Sequence, residues 1–434
     1  MKTVLIITIT FIAIQSVFAQ NEANVWYFQH KCGLDFNSGI PEILNDGFIN
    51  TGWANASISD SLGNYLFSVD WDHIYNKDGI MMNGTGFENA DISGKAIVKW
   101  PNQNGMYLLF TTKSGGGFNY SIIDMNLYGG LGAVIEKNIP VESAFDASGR
   151  VAVVKKESSE NIWIITRKYI EDAFATFLID ENGFNSNPLI SVMPDRDENA
   201  SILYGYIKIS SDKKIIISSY NMYGEIEVCS FDSSNGRIEY LYTIRTPVIG
   251  PYPIKGIEFS PDAKYLYACY DILNNNTSVI YQYDMKLISD SALFKDSGIL
   301  VGTGPIWGLQ LARDGKIYCT PHYTAPEADQ YYLSVVHKPW IRGEGCQFEK
   351  NNLNFFPHDV GWTLPNILVD YLLRFEWTGE TCQGYPIQFK PNFIPMPQTI
   401  QWDFDDGAGS TSWQLSPTYS FKNPGIHEVK VDVW

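Results

Sequence analysis

The chain has 434 residues, a formal net charge of −17 and a charged fraction of only 18%. That charge repels polyanions and argues against nucleic acid as a partner, while a cation or a neutral sugar is electrostatically easier. With 14% aromatic residues and 36 glycines the composition suits short strands and tight turns, not a helical protein rich in Ala, Leu, Glu and Lys.

The N-terminus opens with one positive charge, Lys2, and then runs apolar from Val4 to Ile14; Val17-Phe18-Ala19 offers a small-residue site. This pattern reads as a secretory signal peptide over 1–19, cleaved after Ala19. The apolar run is shorter than the ~20 residues a membrane-spanning helix needs. No later segment is apolar enough to span, so the mature chain is expected to be secreted or extracellular, either free or associated with the cell surface.

From residue 20 to 375 one pattern recurs: an apolar strand, a polar turn of the Ser-x-Asp-x-Lys kind, and a second strand. Ile207 to Lys214 precedes Ile215-Ile216-Ile217, Ile257 to Lys264 precedes Tyr265-Leu266-Tyr267, and Leu309 to Lys316 precedes Ile317-Tyr318. Weaker copies surround positions 60, 102 and 157. The step of roughly 40 to 55 residues is that of one four-stranded propeller blade. A single hairpin of this kind cannot bury its apolar face, whereas sheets arranged radially bury those faces against each other. The pattern predicts an all-β β-propeller. Seven blades are favoured over six, the seventh closed between N-terminal strands near Trp26 to Phe36 and the run Leu364 to Phe375. A β-sandwich array fits the step poorly.

Of the chemistry-bearing residues, the six cysteines form no CxxC pair, and Cys229, Cys269 and Cys319 fall in apolar runs where a free thiol and a bridge are equally compatible. No metalloprotease, nucleophile-elbow, P-loop or dinucleotide motif is present, and Gly115-Gly116-Gly117 reads as turn chemistry. Asp70-Trp71-Asp72-His73 is the densest polar-aromatic group. A carboxylate beside an imidazole can act as acid and base, but a locally bonded loop histidine is the plainer reading. Trp53, Trp71, Trp307, Trp340 and Trp362 lie near Gly or Pro in loops. They could stack on sugar rings or pack between blades, and packing is the commoner use.

The style changes over residues 376–434. Trp402-Asp403-Phe404-Asp405-Asp406-Gly407, then Ser416-Pro417-Thr418-Tyr419-Ser420-Phe421, Pro424-Gly425 and the alternating run Glu428 to Val433, resemble the PKD domain, an immunoglobulin-like β-sandwich. Asp405 stands where that family usually has Gly. Asp403, Asp405 and Asp406 form a weak calcium candidate, since calcium favours several oxygens from one loop. They lack the alternation of a calcium loop, and a turn with aspartates capping backbone N–H groups is the plainer reading. Because PKD domains are normally internal to longer proteins, a truncated or fragmentary chain is expected.

A second resemblance rests on Asn24-Val25-Trp26-Tyr27-Phe28, Gly33-Leu34-Asp35-Phe36-Asn37-Ser38-Gly39-Ile40-Pro41, Gly63-Asn64-Tyr65-Leu66-Phe67 and Met82-Asn83-Gly84-Thr85-Gly86. This order resembles the N-terminal part of large surface proteins of gliding bacteria, which carry a propeller, PKD domains and a gliding-motility-associated C-terminal sorting domain. Gln29 and Cys32 depart from that pattern, where Gly and Ala are usual, and the sorting domain is missing here. The resemblance implies type IX secretion and a cell-surface location. The expectation is a non-catalytic protein. Its propeller would be a binding or adhesion platform for a surface glycan or protein, and its PKD segment a spacer. The alternative is a propeller hydrolase, a lactonase or glycan-acting enzyme. No cofactor is called for beyond the calcium candidate.

Overall fold

The computed structural model describes residues 21–434 except 50–54, 87–93, 114–116, 158, 195–204, 221–223, 246–252, 273–276, 373, 380–382, 393–398, 408, 424–426, 428 and 434. The signal-peptide segment, Trp53 and Cys382 therefore lie outside the described residues. The chain divides into two compact units, one ending at Leu373 and one formed by Arg374–Trp434.

The first unit is an all-β, seven-bladed propeller. Its seven antiparallel sheets cover residues 25–44, 56–76, 95–140, 147–192, 207–245, 254–304 and 306–354. Each is built from strands consecutive in sequence. The first two have three strands among the described residues, and the fourth carries an extra outer strand, Leu189–Val192.

The recurring turn joins the first and second strands of a blade, and its chemistry is local. In the fifth blade Ser210 Oγ donates to Asp212 Oδ1 at 2.6 Å, and the same carboxylate oxygen accepts from Lys214 N at 3.2 Å. The sixth blade repeats this with Ser260, Asp262 and Lys264. The residue after the aspartate turns left-handed, at φ 57° for Lys213, 53° for Ala263 and 77° for Gly315. Gly is the easy choice there, and the Asp side chain holds the turn where Gly is absent.

Apolar faces then meet blade to blade. Every joint has its own buried cluster. One example is Ile257, Leu266 and Ala268 of the sixth blade with Ile217, Ile226 and Val228 of the fifth. The ring closes between the first and seventh blades, where Trp26 and Phe36 pack edge-on against Tyr318 at 6.1 and 5.8 Å.

Closure differs from the expected arrangement. Among the described residues the first blade consists of Val25–Tyr27, Gly33–Asp35 and Glu42–Leu44, and the run 361–372 adds no strand to it. Instead, residues 361–372 cross the central channel. An extended chain covers about 3.3 Å per residue, so this segment is long enough to traverse an inner strand from end to end. With no ladder partner, it bonds mainly through side chains.

The second unit pairs two three-stranded antiparallel sheets. One contains Arg374–Gly379, Ile387–Asn392 and Thr418–Tyr419, the other Ile400–Asp403, Thr411–Ser412 and Lys430–Val433. Trp402 is fully buried between them with Phe389 and Phe404, and its indole N–H donates to Gln414 O at 3.0 Å.

Candidate functional site

The first strand of each blade lines the channel, and the crossing segment fills it. At the end where the first strands of blades two to seven begin and that of blade one ends, Trp362 N donates to Gln29 Oε1 at 2.9 Å and Trp362 O accepts from Thr320 Oγ1 at 2.7 Å. Thr363 accepts from Gln29 Nε2 and Asn55 Nδ2. Midway, Asn366 Nδ2 donates to Lys95 O at 3.1 Å and Val151 O at 3.0 Å. At the other end Asp370 accepts from Lys155 N at 2.8 Å and pairs with Lys213. Six of the seven blades are thereby tied to one segment. Gly361 sits at φ 67°, and a Cβ there would stand 1.5 Å from Gln29 Oε1, so only glycine admits this approach.

The channel interior is thus a plugged core. Lys208 spans it, donating to Glu258 Oε2 at 2.7 Å and Gln310 Oε1 at 2.8 Å, while Glu258 also accepts from Leu311 N and Phe259 N. A cavity of about 50 Å³ beside the plug, lined by Asn55, Lys95, Tyr206 and Gln310 among others, has room for about three waters and none for a sugar ring.

Polar chemistry gathers at the mouth, where first strands begin and second strands end. Between blades four and five, buried Arg167 pairs with Asp172 and with Glu227 at 3.4 Å, and Tyr220 donates to Glu227 at 2.9 Å. This group is internally satisfied. At blades two and three, Asp70, Asp72 and His73 bring one ligand atom each within 4.8 Å of one another. Asp70, 2% exposed, accepts from His73 N at 2.9 Å and Asp72 N at 3.3 Å, and His73 Nδ1 lies 2.5 Å from Asp72 Oδ1. Local bonding is what this loop shows. Next to it, burial pushes the Lys95 ammonium down to about 7 while Asp70 and Asp72 pull it back up.

Between blades six and seven the mouth carries aromatics. Trp307 is the second residue of the seventh blade's first strand, Ile306–Leu311, and His322 follows the second strand, Ile317–Pro321. Tyr323, 50% exposed, stacks on His322 at 4.5 Å and meets Trp307 at 5.3 Å and the plug's Trp362 at 5.5 Å. Lys255 Nζ lies 4.2 Å from the Trp307 ring centroid and 3.8 Å from Asp271 Oδ2. Burial pushes the Lys255 ammonium pKa down, with Asp271 opposing. Thr324 N donates to His322 Nδ1 at 3.1 Å, so the neutral ring carries its proton on Nε2. That Nε2 is buried without a hydrogen-bond partner, 3.6 Å from Asp271 Oδ2.

Of the residues singled out from the sequence, Trp307 and Trp362 come together here, whereas Trp71 and Trp340 are partly buried elsewhere. His337 pairs with Glu349 at 3.0 Å, and His427 with the carbonyls of Asp405 and Asn423. Asp403, Asp405 and Asp406 do not converge among the described residues. Asp403 accepts from Asp405 N. Asp406 accepts from Lys422 N, Asn423 and Tyr419, which holds its carboxyl below the usual range. Cys32, Cys229, Cys269, Cys319 and Cys346 are buried free thiols. Sequence reasoning missed Lys255, Asp271 and Tyr323. Their signal was position: each stands at a strand end opposite the Ser-x-Asp turns, and so at the mouth.

No family model and no curated protein matches this sequence. Among solved structures, the chain is similar to a provisionally assigned 6-phosphogluconolactonase from Bacteroides uniformis (14% identity, 77% of this chain and 94% of that one, TM-score 0.47). It is similar also to the periplasmic gluconolactonase PpgL of Pseudomonas aeruginosa (11%, 80% and 98%, TM-score 0.44). A third is the β-propeller domain of Cps50 (Swd1) from Myceliophteria thermophila (10%, 69% and 94%, TM-score 0.41). All three TM-scores fall below 0.5, and propellers serve many unrelated functions, so these likenesses carry nothing about activity.

Proposed function

We propose that this chain is an exported, non-catalytic binding protein whose propeller presents its ligand site at the channel mouth between the sixth and seventh blades. The observation that carries the reading is the plug: with residues 361–372 tied to six blades, a ligand meets the mouth and not the channel. Half-exposed Tyr323 is the aromatic surface available there. The apolar N-terminal run and the resemblance to surface proteins of gliding bacteria support a place outside the cytoplasm or on the cell surface. The PKD-like unit would serve as a spacer.

His322 is the histidine a hydrolase would use as its base at this site. With Nδ1 accepting from Thr324, His322 is a donor at Nε2, which suits recognition better than proton abstraction. The test is binding of the fluorescently labelled full chain to fixed bacterial cells. Binding is expected to fall at least tenfold in Tyr323→Ala at unchanged stability. Binding indifferent to Tyr323 would overturn the location of the site.

A further inference from the structure

We infer that the mouth site between the sixth and seventh blades takes a neutral pyranose sugar, an inference that rests on the binding-platform reading above. Three features select this class. Tyr323 lies with one ring face on His322 and half of the residue open, a platform on which the C–H face of a sugar ring can stack. Around it stand a carboxylate acceptor, Asp271, and a cationic donor, Lys255, whose side chains are 13% and 11% exposed. Their 3.8 Å separation is beyond hydrogen-bond reach, so both keep bonding capacity for a ligand. Behind them the Nε2–H of His322, a residue 4% exposed, has no acceptor and lies 3.6 Å from Asp271. Ring hydroxyls both donate and accept, and neighbouring ones suit this pair: one can donate to Asp271 while the next accepts from Lys255. A few convergent polar groups beside an aromatic wall are the usual makings of a small-ligand site.

Other ring-bearing ligands fit less well. A quaternary ammonium would seek the aromatic cluster as a cage, but Lys255 already holds a positive charge 4.2 Å from the Trp307 ring. A nucleotide brings phosphates to a chain of net charge −17. A neutral polyhydroxylated ring meets neither obstacle.

The experiment is saturation-transfer NMR on the full chain. The probes are methyl β-glucopyranoside, methyl β-galactopyranoside and methyl α-mannopyranoside, with choline and glucuronate as charged controls. At least one neutral glycoside should receive saturation, mostly at ring C–H protons. The signal should vanish in Tyr323→Ala, and affinity should weaken at least tenfold in Asp271→Ala and several-fold in Lys255→Met. Three results would overturn the inference: no transfer to any glycoside, transfer untouched by Tyr323→Ala, or stronger transfer to choline or glucuronate than to the glycosides. Cell binding that depends on Tyr323 but is not competed by these glycosides would sink the sugar class and leave the platform standing. Cell binding independent of Tyr323 would sink the platform itself.

Discussion

Lys95 offers the sharpest test of the energetics. Its side chain is 1% exposed on the first strand of the third blade, and burial pushes its pKa to about 7, with Asp70 and Asp72 only partly restoring it. In the unfolded chain a lysine titrates near 10.4. Between these values the unfolded chain holds a proton that the folded chain has released, so stability rises with pH through this window. The slope approaches about 1.4 kcal/mol per pH unit at its steepest. Below about pH 7 the folded state carries the buried charge and its full desolvation cost. Lys95→Met keeps the aliphatic stem and removes the charge. It is expected to stabilise the protein by about 1–3 kcal/mol at pH 6, the scale seen when buried ions are replaced by apolar groups. That gain should shrink by about 2–3 kcal/mol between pH 7 and pH 9. The assay is urea denaturation of both proteins at pH 6, 7.5 and 9. Reading the difference between them cancels the buried thiols and phenols, which also titrate differently on folding. A difference that stays flat, or grows, from pH 6 to 9 would refute the reasoning.

Three further outcomes are expected. Asn366→Ala leaves the carbonyls of Lys95 and Val151 without their donor in the channel, and should cost about 2–4 kcal/mol in the propeller transition, read as a lowered urea midpoint at unchanged slope. Glu258→Gln removes the charge that pairs with the Lys208 ammonium and should cost about 3 kcal/mol, whereas the double variant Lys208→Met/Glu258→Gln, which keeps an acceptor for the Leu311 amide, should lose less than Glu258→Gln alone, as a double-mutant cycle would show. In the C-terminal unit, the amides of Lys422 and Asn423 hold the Asp406 carboxyl below its ordinary range. Stability from this source is present above the unfolded carboxyl pKa and is lost as pH falls through the depressed value. Asp406→Asn should therefore flatten the acid limb of that unit's unfolding, monitored by Trp402 emission.

Much of the fold was legible because its information is local. The Ser-x-Asp-x-Lys turns at 210–214 and 260–264 hold themselves with bonds spanning two to five residues, and apolar strands flank them. Turn positions alone therefore mark blade after blade. The same locality led the reading astray at ring closure. A run such as Leu364 to Leu372 is as apolar as a strand, yet its partners are 215 to 271 residues away, at Val151, Lys155 and Lys95. Periodicity carries no trace of such partners.

The two positions where the N-terminal pattern departs from the proteins it resembles, Gln29 and Cys32, both touch the chain entering the channel, through Thr363, Trp362 and Asp359. In the sequence they are only irregularities; the tertiary structure gives them a shared place. The candidate site follows the same rule. Histidines and tryptophans could be listed one by one, but Lys255, Asp271, His322, Tyr323 and Trp362 come from two blades and the plug, and only the closing of the ring sets them side by side. The sequence by itself determined the unit that repeats, since a hairpin's turn and apolar face depend on near neighbours. What fills the axis of the ring and what stands at its mouth were decided by contacts between distant residues, which exist only once the blades have packed.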